Sequence, residues 1–269
     1  MNREAAFAGS FYPADKKKLT AMLDGFFSGV QKETKREKTG CVVAPHAGYV
    51  YSGQTAAFSY SALKKAKTFV ILSPNHTGYG RSISIWPDGE WETPLGKAKV
   101  NSALSKKIAE ALGTETDTEA HLGEHSIEVQ LPFLQHSFGN NFDFVAITLG
   151  TGNLAGLERL GKAIAEKTNG MAVAVIASSD FTHFETEESA KKKDLAAIKF
   201  IEKIDIEGFY SEVGEKQLSI CGYAAIIAAM KYCVSAKGFK KGRLLHYDSS
   251  ATASRDKANV VGYAAIGFY

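Results

Sequence analysis

The sequence predicts a single α/β domain in which a mixed sheet of about seven strands carries helices on both faces. Short apolar runs rich in β-branched residues end in turn residues, as in residues 40–44 and 68–72, and this pattern is typical of buried strands. Stretches with apolar residues at helical spacing separate these runs, which favours α/β alternation. No repeat, low-complexity tract or clear linker interrupts the sequence, so we expect residues 1–269 to form one domain.

Each strand is predicted from an apolar or alternating run bounded by turn residues. The predicted strands cover residues 40–44, 68–72, 82–86, 142–149, 171–177, 242–248 and 260–268. The turn-rich stretch 87–98 is expected to form a hairpin or a surface loop.

The helices are predicted from their apolar spacing and from their end signals. Asp15 is a cap candidate for the first helix, and Gly113 is a typical stop for the third. The predicted helices cover residues 16–30, 54–66, 102–112, a segment from about 124 that Pro132 bends or breaks, 153–167, 186–204, part of 206–220, and 222–235. Residues 31–39 are expected to be a solvated connection.

Composition excludes several classes of protein. Apolar residues make up 45% and charged residues 23% of the chain, and the formal net charge is only +3, so we expect no nucleic-acid partner. No apolar run approaches the roughly 20 residues of a membrane span, and the N-terminus lacks a signal-peptide core, so we expect no membrane partner. Three cysteines do not suggest a disulfide scaffold, which favours the cytoplasm. No nucleotide cofactor is indicated.

Three predicted strands are each followed by a histidine. His46 and His76 follow the first two strands, and Asp180 and His183 follow the strand at 171–177. Polar residues at the carboxyl ends of strands lie where open α/β sheets bind ligands, so we expect these side chains to share one pocket. The alternative for His46 and His76 is a pair of loop histidines with purely structural hydrogen bonds.

Asp180 and His183 belong to the stretch SSDFTHF. A carboxylate three residues before an imidazole can accept its N–H, orient the ring and raise its basicity. The alternative is that Asp180 or Thr182 caps the helix that follows, and both roles are compatible.

His121 and His125 are four residues apart, a spacing that occurs in metal-binding helices. The glutamate at 124 does not follow the first histidine as it does in HExxH, which disfavours a zinc protease. We therefore interpret His125 as part of a helix start that walls the pocket. His136 and His246 carry no motif and are expected to lie at the surface or in strand packing.

Cys221 stands just before a predicted helix, a position that lowers the pKa of a thiol. It is a candidate nucleophile or soft metal ligand, and the alternative is a small buried residue. Cys41 and Cys233 lie in apolar runs and are interpreted as core residues.

Seven stretches together resemble the Memo family over essentially the whole chain. They are AGSFYP (8–13), PHAGYVYSG (45–53), SPNHTGYG (73–80), ETPLG (92–96), GEHSIEVQLPFL (123–134), SSDFTHF (178–184) and ICGY (220–223). The family is similar in fold to class III extradiol ring-cleaving dioxygenases, which use non-haem iron. The resemblance therefore implies one mixed-sheet domain with a pocket at strand ends.

The resemblance also assigns residues to that pocket. His46 and His76 match the two metal-pocket histidines of the family, Cys221 matches its pocket cysteine, and Asp180 and His183 match the remaining pair. By analogy with the dioxygenases, His183 would move protons and Cys221 would stand in place of a carboxylate ligand. A thiolate in that position shifts the preference towards copper or zinc and towards sulfur redox chemistry. Ring cleavage therefore does not follow from the fold.

The resulting hypotheses belong to different classes. The first is an oxidoreductase with iron or copper, or zinc as a further candidate, on His46, His76 and Cys221. The second is a non-catalytic adaptor that binds a phosphopeptide in the same pocket, as the resemblance to animal members implies. The third is hydrolysis by Cys221 with His183 as base. The expected partner is an unidentified small molecule or peptide, and the resemblance to microbial members implies a modification pathway with a radical-SAM protein.

Overall fold

A computed structural model describes residues 1–31 and 37–269, and the side chain of residue 31 is excluded. Most of the connection expected at 31–39 lies outside the described residues. The strands are β1 (Asn2–Arg3), β2 (Cys41–Ala44), β3 (Thr68–Pro74), β4 (Ile83–Ile85), β5 (Glu90–Thr93), β6 (Gly96–Val100), β7 (Asp143–Leu149), β8 (Val173–Ser178), β9 (His183–Glu185), β10 (Gly242–Ser249) and β11 (Val260–Phe268). The helices are α1 (Lys16–Gln31), α2 (Tyr49–Ala62), α3 (Ser102–Leu112), α4 (Glu119–Leu122), α5 (Leu131–Phe138), α6 (Leu154–Lys167), α7 (Glu187–Lys203), α8 (Ile206–Glu215), α9 (Tyr223–Ser235) and α10 (Ala251–Ser254).

The described strands form one mixed sheet with the order β1-β5-β6-β7-β3-β8-β2-β11-β10, to which β4 is added beside β7 and β9 beside β11. The central strands β7, β3, β8 and β2 are parallel, whereas β11 and β10 are antiparallel to their neighbours. Parallel neighbours end at the same edge of a sheet, so the carboxyl ends of these four strands lie together there.

The strand number corrects the prediction, because the sheet has 11 described strands and not about seven. The seven predicted strands are all present. The additional ones are β1, β5, β6 and β9, which have between two and five residues each. β1 and β9 have too few residues to show alternation. β5 and β6 do alternate in burial, but they are short and lie in a turn-rich stretch for which a surface loop was the other expectation. β5 and β6 form the hairpin that was one of two expectations for residues 87–98.

Helices cover both faces of the sheet, as predicted. In β3, Val70 and Leu72 pack into a core with α3, α6, α7, α8 and α9. The alternate residues Phe69 and Ile71 pack on the other face with α1, α2 and α5. Successive side chains of a strand point to opposite faces, so a strand covered on both sides is apolar throughout.

Two helix starts differ from the prediction. α2 begins at Tyr49 rather than near residue 54. Pro132 neither bends nor breaks a helix, because it lies in the first turn of α5, where a missing N–H costs no hydrogen bond. A 3₁₀ turn at Glu128–Gln130 precedes it, which leaves residues 123–127 as an irregular segment.

Other end signals are confirmed. The Asp15 carboxylate accepts the N–H of Lys18 at 2.9 Å, and Gly113 ends α3 in the left-handed conformation with φ of 67°. Within the described residues, no helix combines the length and the apolar character that crossing a bilayer would need.

Candidate metal centre

Three parallel neighbours deliver polar side chains to one edge of the sheet. Two residues after the ends of β2, β3 and β8 stand His46, His76 and Asp180, respectively. β8 lies between β3 and β2 in the sheet, so the two histidines flank the aspartate. The expectation that these distant positions meet at one place is confirmed for the two imidazoles, whose ring centroids are 5.3 Å apart.

His125 completes a group of three imidazoles. It comes from the irregular segment between α4 and the 3₁₀ turn, and its ring centroid lies 5.4 Å from His46 and 4.9 Å from His76. One ligand nitrogen from each of the three rings lies within 4.8 Å of the others, so these residues could hold a metal ion. His46 is buried, while the side chains of His76 and His125 are 37% and 18% exposed.

Sequence reasoning missed His125 as a ligand candidate. It tested the histidine against HExxH and then placed it in the wall of the pocket. The glycine at 123 is a loop signal that could have argued against a helix through His125, but it does not by itself indicate a ligand. Phe11 packs on the His125 ring with centroids 4.4 Å apart, a contact that no local pattern shows.

The buried carboxylate of Glu124 holds two of the imidazoles. Its Oε1 lies 3.0 Å from Nδ1 of His76 and 3.3 Å from Nδ1 of His125, and its Oε2 accepts the main-chain N–H of His76 at 2.6 Å. Burial alone would raise the pKa of Glu124, but the bonds from His76 and Ser126 outweigh it and lower the pKa to about 2. The ionised carboxylate only accepts, so the Nδ1 atom of His76 carries a proton, and in the neutral ring its Nε2 keeps a lone pair.

The electrostatics of the site keep two of the rings neutral. Burial lowers the pKa of His46 well below its ordinary value, and the neighbouring His125 and His76 lower it further. Burial also lowers the pKa of His125. For His76 burial acts in the same direction, but Glu124 outweighs it and the pKa is raised. Neutral imidazole is the form that binds a metal ion.

Cys221 lies beside His46, with its Sγ 3.2 Å from Nε2 of that ring. The sulfur also accepts the N–H of Asp180 at 3.3 Å. The pKa prediction for Cys221 is wrong in direction. The residue does stand just before α9, but burial and, secondly, the Asp180 charge raise the pKa of its thiol. Cys41 and Cys233 are buried core residues, as predicted.

Asp180 and His183 lie in the site without the predicted orienting bond. Nδ1 of His183 donates to the carbonyl of Ser219 at 2.8 Å. Asp180 instead accepts the main-chain N–H of His46 at 2.8 Å, and burial raises the pKa of its carboxyl. The alternative role as a cap is also wrong, because Thr186 caps the following helix α7.

An open cleft of about 430 Å³ adjoins the imidazoles. His125, Asp180 and His183 line it together with the aromatic residues Phe11 and Tyr51. The polar residues Ser250, Ser254, Asp256 and Asn259 line it as well. Of the three imidazoles, only that of His125 lines this cleft, so a small molecule bound there would meet the histidine group at His125.

The other described histidines have structural contacts. His121 is buried, with its Nε2 facing the carbonyl of Ser84 at 3.2 Å and its Nδ1 facing the hydroxyl of Thr148 at 3.1 Å. His136 stacks on Phe27 with centroids 5.0 Å apart. His246 stacks on Phe58 at 4.2 Å, which agrees with the expectation of strand packing. His121 and His125 therefore do not form a joint metal site.

The fold and the site define a single α/β domain in which two histidines that follow parallel strands meet a third from an irregular segment. The family model described as Memo-like protein matches residues 3–267, and the chain belongs to the Memo family. A MEMO1 family protein of Methanosarcina acetivorans is 41% identical over 266 residues, which are 98% of both chains. A MEMO1 family protein of Nitrosopumilus maritimus is 39% identical over 276 residues and the full length of both chains.

A solved structure shares the fold. It is that of an uncharacterised protein from Escherichia coli K12, with a TM-score of 0.57 and 11% identity, and the match covers 86% of this chain and 100% of that one. At this identity the likeness concerns the fold alone. The similarity to ring-cleaving dioxygenases stays a prediction.

Proposed function

We propose that this protein is a metal-dependent oxidoreductase whose ion is held by His46, His76 and His125. The observation that carries the proposal is the convergence of three imidazole nitrogens within 4.8 Å of one another. Neutral imidazole is a common ligand for iron, copper and zinc. The buried Glu124 carboxylate faces Nδ1 of two of them, and a partner of this kind typically orients metal-binding histidines.

The donor set fits a transition metal ion. Two imidazoles bound tetrahedrally at about 2.1 Å have nitrogens about 3.4 Å apart, so a modest closure of the three rings would complete the site. The sulfur of Cys221 is 3.2 Å from Nε2 of His46, close to the separation of about 3.5 Å expected for sulfur and nitrogen on one ion. The sequence predicted Cys221 as the third ligand beside His46 and His76. With His125 in the group, we propose Cys221 as a fourth donor.

The sulfur suits copper as well as zinc, and copper, which can change its oxidation state, gives the redox part of the proposal its basis. Soft thiolate and imidazole together suit Cu(I), and a mixed set with open positions suits Fe(II). A bound iron or copper ion would supply a Lewis acid and a one-electron redox centre. The main chain of Asp180 contacts Sγ, which keeps the thiol at the edge of the site.

His183 is proposed as the group that moves a proton. Its Nδ1–H is used by the carbonyl of Ser219, so in the neutral ring Nε2 has a free lone pair. His183 and Asp180 line the same cleft, and a substrate bound there would meet both. The histidine would accept a proton from that substrate, and the aspartate would hold the main chain of His46 in place.

The first test is metal binding by protein prepared anaerobically and freed of metal. Titration with Fe(II), Cu(I) and Zn(II) should give one site per chain. The variants His46→Ala and His125→Ala should lose most of the affinity, whereas His136→Ala, on the surface of α5, should keep it. Equal affinities in all four proteins would refute the site.

The second test concerns the redox part. The iron- or copper-loaded protein should change its optical or paramagnetic spectrum on exposure to air, and ascorbate should reverse the change. A protein that binds only zinc, or whose iron and copper never change oxidation state, would refute an oxidoreductase while leaving the metal site intact.

The lining of the cleft disfavours the adaptor hypothesis. Phosphate groups are recognised by Arg and Lys, yet the described residues lining this cleft include neither, while Asp180 and Asp256 line it. A phosphotyrosine peptide that binds equally well with and without a chelator, and also binds the His76→Ala variant, would support the adaptor instead. Cysteine hydrolysis is disfavoured because burial raises the pKa of Cys221 and its sulfur contacts His46 rather than His183.

A further inference from the structure

A buried chain of hydrogen bonds lies behind His46. Nδ1 of the ring is 2.9 Å from Oγ of Ser178, and Nε2 of Gln130 is 2.8 Å from the same oxygen. The hydroxyl of Tyr60 donates to Oε1 of Gln130 at 2.5 Å. All four side chains are buried.

Two main-chain carbonyls, those of Pro45 and Ser126, determine which group donates in each of these hydrogen bonds. The carbonyl of Pro45 only accepts, so the Gln130 amide turns its NH₂ group towards it at 3.0 Å and donates its second hydrogen to Ser178. The hydroxyl of Ser178 has a single proton, which it donates to the carbonyl of Ser126 at 2.7 Å. The remaining lone pair of Ser178 can then only accept a proton from His46.

We infer that Ser178, oriented by Gln130, fixes His46 as the Nδ1–H tautomer, so that its Nε2 always presents a lone pair to the metal site. The inference rests on the proposed function and deepens it. It makes Ser178 and Gln130 positioning residues, because neither contacts the ion position and both act through His46.

The alternative tautomer is disfavoured by the same contacts. With the proton on Nε2, the lone pair of Nδ1 would face the lone pair of the Ser178 oxygen across 2.9 Å in a buried place. The proton on Nε2 would also block the nitrogen that an ion needs. Residues that orient a ligand in this way are commonly worth about 10- to 100-fold in metal affinity.

The test compares Ser178→Ala with the wild type in two measurements. In metal-free protein labelled with ¹⁵N-histidine, the wild type should show a protonated Nδ1 and an unprotonated Nε2 for His46, with the signals assigned by His46→Gln. Ser178→Ala should shift the signals towards a mixture of tautomers. Calorimetric titration with Zn(II) should then show an affinity about 10- to 100-fold lower.

Two control variants separate this role from a merely structural one. Ser59→Ala removes another buried serine hydroxyl, which donates to Val43 at 2.6 Å, and it should change neither measurement. Tyr60→Phe removes only the outermost bond, and the His46 tautomer should stay unchanged because Pro45 still orients Gln130.

The inference is overturned if metal-free wild type carries the proton on Nε2 of His46, or if Ser178→Ala keeps both the wild-type nitrogen signals and the wild-type affinity. A wild type that binds no metal would instead overturn the proposed function, and the nitrogen signals would still decide the tautomer. The two failures are therefore distinguishable.

Discussion

The rings of His76 and His125 are stacked, with centroids 4.9 Å apart and planes 15° from parallel. A single carboxylate oxygen of Glu124 faces the Nδ1 atoms of both. Because both Nδ1 atoms face Glu124, the Nε2 atoms of the two imidazoles lie on the side away from it. His46 lies beside both rings, with centroid distances of 5.3 and 5.4 Å. The stacked pair therefore explains why an irregular segment after α4 contributes to the site.

Glu124→Gln should weaken metal binding about 10- to 100-fold, because a neutral amide accepts more weakly from the two imidazoles and can also present a donor to them. The measurement is calorimetric titration with Zn(II) and Fe(II). Glu119→Gln, an exposed glutamate of α4 nearby, is the matched control and should leave the affinity unchanged. Equal affinity in both variants would show that the carboxylate has no orienting role.

Arg3→Met should lower the free energy of unfolding by about 3–5 kcal/mol, because it leaves the buried Glu128 carboxylate without its cation. The guanidinium lies 2.5 Å from Glu128, and the same carboxylate accepts from Phe7 at 2.8 Å and from Tyr12 at 2.6 Å. This group attaches the N-terminal segment to the turn that follows His125. Urea denaturation measures the effect.

The matched control for Arg3 is Arg81→Met, which removes an exposed ion pair with Glu115. Exposed pairs contribute about 0–1 kcal/mol, so this variant should unfold close to wild type. A small effect at Arg3 as well would mean that the buried pair does not stabilise the segment.

His121 should make the protein less stable in mild acid. Burial lowers the pKa of its imidazole to about 4, so the unfolded chain binds a proton more readily than the folded one between pH 6.5 and about 4. The contribution of His121 to the free energy of unfolding is therefore fully present above pH 6.5 and is lost as the pH falls towards 4. The total loss is roughly 3 kcal/mol. His121→Gln should flatten the dependence, and His136→Gln should not. Equal slopes in all three proteins would contradict the assignment.

Cys221→Ser should lower the affinity for Cu(I) much more than the affinity for Zn(II), because the soft thiolate contributes most to the soft ion. Competition titrations with a chromogenic Cu(I) chelator give the values. Cys233→Ala removes a thiol from the core and should leave both affinities as they are. If Cys221→Ser and Cys233→Ala behave alike, the sulfur beside His46 is not a donor.

Local patterns determined how much was predictable. The alternation of apolar runs placed the seven predicted strands and both helical layers, and the strand ends placed His46, His76, Asp180 and His183 at one edge of the sheet. The place of His125 in the histidine group was not predictable in this way, because the ring packs on Phe11, which is distant in the sequence. The thiol pKa of Cys221 failed for a similar reason, since burial by distant elements outweighs the helix start.

The most direct measurement is a crystal structure of the metal-loaded protein with anomalous scattering recorded at the absorption edge of the ion. The account predicts one anomalous peak within about 2.0–2.3 Å of the Nε2 atoms of His46, His76 and His125, with Cys221 Sγ within about 2.5 Å or just outside. A peak elsewhere, or one bound without these imidazoles, would contradict it.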